Sequence, residues 1–177
     1  MQTLRPTAER LGLVPHVWTD CFEVGGIYDS GGTLSRGLTR SEMQEQLPGC
    51  ALPRDVTELG WYRLGGRESA EQAAGRAESC AARLRALAAS CAERPTGTVA
   101  LLSHHDFLSL LLRALLLTRG GGGFPHANTG MTCVDVGLDG RCAVVFQNFS
   151  GHLRGGRAAA EGGAPPGPAQ TPGAPRL

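Results

Sequence analysis

Residues 98–103, Thr-Val-Ala-Leu-Leu-Ser, form an apolar run of strand length that ends abruptly at His104-His105-Asp106. A strongly apolar helical pattern, Phe107-Leu108-Ser109-Leu110-Leu111-Leu112 and onward, begins at once. A junction of this kind binds the chain to a strand feeding directly into a helix. In an open α/β sheet the carboxyl end of a strand is where ligands bind, because loop backbone and helix N-termini converge there. A histidine at that point is therefore a candidate for chemistry. The plainer alternative is that Ser103 or Asp106 caps the helix and both histidines are bystanders. Asp106 is the expected cap.

The rest of the chain supplies further helices and strands. Residues 1–12 read as an amphipathic helix whose first turns Pro6 disrupts, and 16–20 as a short strand. Five glycines over 24–38 predict a loop. Ser41-x-x-Gln44 is a capping box for a short helix running to about Leu47, stopped by Pro48-Gly49. Residues 48–66 are an irregular loop holding Trp61 and Tyr62. A second box, Ser69-x-x-Gln72, opens a helix reaching about Glu93. Its apolar face is Ala73, Ala77, Cys80, Ala81, Leu84, Leu87, Ala88 and Cys91. After strand 98–103 and helix 106–118, a glycine run leads through Pro125-His126 to strands over 131–138 and 141–149. Asp139-Gly140 between them is a hairpin signal. Helix, strand, apolar helix and hairpin together predict an α/β fold with helices covering a mixed sheet.

From Gly155 onward Gly, Pro and Ala supply 17 of 23 residues. Such a stretch buries too little apolar surface to order itself, so the expected division is a domain over 1–153 and a disordered tail over 154–177. The basic residues are all Arg, and the net charge of +1 gives no electrostatic footprint for nucleic acid or a membrane surface. The apolar helix 107–117 is shorter than the ~20 residues a bilayer requires, and no secretory signal is apparent. Six cysteines show no C-x-x-C spacing. Cys80 and Cys91 share a helix face but lie about 16 Å apart along the axis, too far for a disulfide. Reduced cysteines in a cytoplasmic protein are the expectation.

Several segments, in order, resemble the histidine phosphatase superfamily, the phosphoglycerate-mutase-like proteins. Leu101-Leu102-Ser103-His104 resembles the strand ending in Ser/Thr-His-Gly, with His105 in the place of the glycine. Residues 1–13 resemble the family's first helix. Phe22-Glu23-Val24-Gly25-Gly26 resembles the segment with the acidic proton donor, and Ala127-Asn128-Thr129-Gly130-Met131-Thr132 the loop entering a late strand. The resemblance implies a three-layer sandwich with a mixed sheet flanked by helices. It also implies phosphomonoester hydrolysis or phosphoryl transfer on a phosphorylated small molecule or phosphoprotein, without a cofactor or metal. The family's nucleophile lies in an Arg-His-Gly at the end of its first strand, and no Arg-His-Gly occurs in the 177 residues. The chain therefore reads as a member that begins after that strand, lacking the nucleophile and at least two phosphate-binding arginines. Little or no activity is expected of it, and an exposed sheet edge offers a route to dimers.

A phosphohistidine mechanism needs an imidazole nucleophile, cationic donors on the phosphoryl oxygens and an acid for the leaving oxygen. By the resemblance Glu23 is the acid. Its flanks, Cys21-Phe22 and Gly25-Gly26, favour the partial desolvation that an acid requires; otherwise it is a solvated loop residue. His104 is the donor to phosphate oxygen. Ser103, His105, Asn128 and Thr129 are candidate substrate contacts, although a turn role suits the last two equally. Two alternatives stand beside this reading. One is a non-catalytic homologue that binds an anionic ligand or has no independent function. The other, less supported, is a metal-dependent phosphohydrolase using His104, His105 and Asp106, for which no second ligand cluster occurs in the sequence.

Overall fold

The computed structural model describes residues 2–29, 31–62, 65–90, 97–118 and 122–154. In chain order its elements are helices α1 (Arg5–Leu11), α2 (Arg40–Gln46), α3 (Ala70–Ser90) and α4 (His105–Leu116). Strands β1 (Met131–Val136) and β2 (Cys142–Phe149) follow, and a short 3-10 turn (Gly151–Arg154) ends the described chain. Among the described residues no helix is long and apolar enough to cross a membrane. The expected boundary at 153/154 falls at the end of these residues, and the tail lies outside them, as does Cys91.

The core sits between α3 and α4. Ala73, Ala77, Cys80 and Ala81 are buried along one face of α3, as the spacing predicts. Their small side chains allow close approach, and Phe107, Leu111 and Leu115 of α4 pack into the space with Cys21 beside them. Burial of each large apolar side chain contributes about 1.5–3 kcal/mol. The expected face fades toward its end, where Leu87 is exposed. Arg85 ties the pair to the hairpin: its guanidinium donates to the carbonyls of Ala114 and Leu115 at the end of α4 and to Gly140.

Helix starts follow the capping rules with one shift. The Ser69–Gln72 box forms: the Gln72 amide donates to Ser69 Oγ and the Ser69 amide to Gln72 Oε1. At α2 the box is Thr39–Glu42, not Ser41–Gln44. The Thr39 amide donates to Glu42 Oε2 at 2.6 Å and the Glu42 amide to Thr39 Oγ1 at 3.1 Å. Thr39 has the extended backbone that a cap needs, and Arg36 reinforces Glu42 from outside. Pro6 occupies the first turn of α1, where a missing N–H costs little, so the helix forms around it.

The expected mixed sheet is reduced to the antiparallel hairpin β1–β2 among the described residues. Among the described residues segment 98–103 has no regular secondary structure and joins no ladder; Leu101 packs on the core, and Val99 and Leu102 are exposed. An apolar run sets the conformation of one strand; a ladder also requires a neighbour alongside. Strand 16–20 likewise shrinks to a single parallel bridge, His16 with Ala51. The hairpin turn is longer than the two-residue turn expected, since β1 stops at Val136. The Gly137 amide donates to the Arg141 carbonyl across it, and Gly140 takes positive φ.

Candidate active site

Two segments far apart in sequence meet at the start of α4. One carries Cys21-Phe22-Glu23, the other Ser103-His104-His105-Asp106. Ser103 Oγ donates to the Cys21 carbonyl at 2.7 Å. The Glu23 carboxylate accepts the amides of Phe107 at 3.0 Å and Asp106 at 3.3 Å, and also its own neighbour's, Val24, at 2.8 Å. It thereby satisfies two of the free N–H groups that every helix start leaves open, at the positive end of the helix dipole. This corrects the expectation that Asp106 is the cap. The N-cap position belongs to His104, whose side chain makes no capping bond, and an acid from elsewhere in the chain does the capping.

The segment bearing Glu23 is held from behind by Arg76. One guanidinium nitrogen donates to the carbonyls of Asp20 and Phe22, at 2.7 and 2.8 Å. The other edge forms a two-point pair with Glu68, both bonds 2.7 Å. The group lies 3.6 Å over the Phe22 ring and 4.5 Å from the centre of Phe107. Glu68, buried, also accepts the Gly25 amide. Sequence reasoning missed Arg76 and Glu68. A signal was there: Arg76 stands between Ala73 and Ala77 on an otherwise apolar helix face, and Glu68 immediately precedes the cap of that helix.

Of the residues singled out from sequence, the structure brings Glu23, Ser103, His104 and His105 to the start of α4. His104 is exposed there. His105 turns toward the loop before β1, its Nδ1 lying 2.7 Å from the His126 carbonyl. Burial holds the His126 imidazole below its ordinary value, aided by the neighbouring His105, with only its contact to the Phe124 carbonyl opposing. Asn128 and Thr129 lie exposed in a turn closed by the Gly130 amide on the Ala127 carbonyl, and Thr129 takes positive φ. That is the turn role weighed from sequence. Among the described residues no group of three or more His, Cys, Asp or Glu is placed to hold a metal ion.

A cleft of about 360 Å³ opens on the other side of Phe22, lined in part by Asp20, Asp55, Trp61, Tyr62 and Arg76. It includes none of Glu23, Ser103 and His104. Among the described residues that line it, Arg76 is paired with Glu68. Trp61 and Tyr62 line this cleft and pack on Phe22, with ring centres 5.7 and 5.2 Å away. The corner at α4 presents the amides of Asp106 and Phe107, both on the Glu23 carboxylate, next to the exposed His104.

No curated protein and no solved structure matches the chain. The family model for the histidine phosphatase superfamily (branch 1) matches residues 1–149, which takes in Glu23, the Ser103-His104 junction and the hairpin. With that match spanning all the elements that build the corner, the chain belongs to the histidine phosphatase superfamily and has its phosphoglycerate-mutase-like α/β fold.

Proposed function

We propose that the corner between Glu23 and the start of α4 engages the phosphoryl group of a phosphomonoester, the chemistry of this family being ester hydrolysis or phosphoryl transfer. The observation that carries it is the pair of amides, Asp106 and Phe107, presented beside the exposed His104 and already binding an anionic group, the Glu23 carboxylate. A phosphoryl oxygen suits the same donors. In the family role His104 stabilises those oxygens and Glu23, displaced from the amides, passes a proton to the leaving oxygen. The 177 residues hold no Arg-His-Gly, so the nucleophile of a phosphohistidine mechanism is missing, and we expect these residues alone to bind phosphate with negligible turnover.

The test pairs binding with activity. Addition of inorganic phosphate is expected to shift the amide resonances of Asp106 and Phe107, and Glu23→Ala to tighten phosphate binding by removing a competing anion. Absence of those shifts overturns the site. Turnover of an aryl phosphate is expected to be at background. A measurable rate that His104→Ala abolishes and chelators leave intact would make His104 itself the nucleophile.

A further inference from the structure

Behind this corner, Cys21 and Cys80 are 59 residues apart in sequence, yet their sulfurs lie 3.9 Å apart in the buried core. Both positions are held by surrounding bonds. Arg76 grips the carbonyls on either side of Cys21, Ser103 donates to the Cys21 carbonyl itself, and Cys80 is set within α3. The proposed phosphoryl chemistry uses neither thiol.

We propose that Cys21 and Cys80 are a modification site, closing to a reversible disulfide when a peroxide oxidises the pair. A disulfide needs the sulfurs at about 2.05 Å. Cys21 lies on a turn, with its amide on the Trp18 carbonyl, so closure falls to rotation of the two side chains within the backbone that these bonds hold. Both sulfurs are buried, and the cleft described above is walled by their chain neighbours Asp20, Phe22 and Ser79, so peroxide reaches them when that wall opens. The thiol hydrogen bond between the two sulfurs divides their roles. That bond first, then Arg76 and Arg83, lowers the Cys80 thiol, against burial and the Asp20 charge. The same bond, followed by burial, pushes Cys21 far upward. Either sulfur can donate in that contact, and Cys80, which has Arg83 as well as Arg76 near it, is taken as the attacking sulfur. Its thiolate forms an S–O bond as the peroxide O–O bond breaks, releasing hydroxide. Cys21 then gives up its proton and attacks that sulfur, forming S–S and expelling the sulfenic oxygen as water. Two thiols are oxidised and one peroxide is reduced to two waters. Cys21 is two residues before Glu23, so closure pulls on the segment that caps α4.

The test treats the wild-type protein with hydrogen peroxide, blocks the remaining thiols, and digests it with trypsin without reduction. The expected product joins peptide 11–36 to peptide 77–83, and dithiothreitol separates them. The variant with Cys50, Cys91, Cys133 and Cys142 all changed to Ser should give the same product. Its melting temperature should rise by about 10 °C on oxidation, given the length of chain enclosed. The Phe107 amide resonance should move on oxidation whether or not phosphate binds, which separates this site from the phosphoryl reading. Predominant crosslinks through other cysteines, or Cys80 recovered as sulfinic acid without a crosslink, overturn the proposal. The wild-type digest decides the matter even if the quadruple variant does not fold.

Discussion

In the α3–α4 pair Phe107 is fully buried, with Leu111 and Leu115 close to it, whereas in the hairpin Val145 and Phe146 remain 57% and 41% exposed. The two regions are similarly apolar in sequence. They differ in what lies opposite. The stripe on α3 meets the stripe on α4, and each covers the other. The hairpin pairs the backbone groups that face each other across its two strands, and among the described residues most of its apolar side chains gain no second layer. Pairing of two strands satisfies the backbone groups between them, but only a facing element removes their side chains from water. The candidate site is built on the first region: the α4 start that Glu23 caps carries Phe107, buried in one cluster with Ala77, Cys80 and Ala81 of α3.

The largest effects should come from breaking that block. Phe107→Ala is expected to cost about 3–5 kcal/mol by leaving a cavity in the core. Arg76→Met should cost a similar 3–5 kcal/mol, because Glu68 is left buried without its partner. Urea denaturation measures both. If Glu68→Gln added to Arg76→Met does not restore part of the loss, the pair is not the cause.

Glu23→Ala comes next, with an expected loss of about 1–3 kcal/mol from two helix amides losing a charged acceptor. Hydrogen exchange should speed selectively at Asp106 and Phe107. Uniform acceleration across α4 would show that the capping contact is not what the variant lost.

The hairpin should behave oppositely. Val145→Lys and Phe146→Lys are expected to change stability by under ~0.5 kcal/mol, as surface changes do. They should also lower self-association in sedimentation, since the apolar side chains exposed on the hairpin among the described residues favour contact between copies. A Phe146 variant as costly as Phe107→Ala would erase the contrast between the regions.

The smallest effect concerns pH. Burial holds folded His126 below its ordinary value of 6.5. Below about that pH the unfolded chain takes up a proton that the folded chain resists, so stability should fall as pH drops through 6.5 and be flat above it. Denaturant midpoints between acid and neutral pH measure this, and His126→Asn should flatten the slope.

Much of this was legible in local sequence. The Ser69–Gln72 box and the alanine stripe mark α3, the apolar pattern after Asp106 marks α4, and alternation with Asp139-Gly140 marks the hairpin. Each depends on residues a few positions apart, whose geometry the helix and strand periods dictate. The family resemblance likewise rested on short contiguous motifs. At two helix starts a group other than the expected one does the capping. Thr39, not Ser41, had the extended backbone to cap α2, and Glu23, not Asp106, reached the α4 amides.

The sequence alone therefore determined which stretches are helical or extended, the small-residue face that permits close helix packing, and the family. Tertiary structure decided the rest. It alone set Glu23 on α4, clasped Arg76 between Glu68 and the carbonyls before Glu23, and paired Cys21 with Cys80. Among the described residues it also left 98–103 outside a ladder. Local propensity acts through neighbouring dihedrals, whereas these contacts span tens of residues and exist only once the chain has packed, so no short-range pattern encodes them.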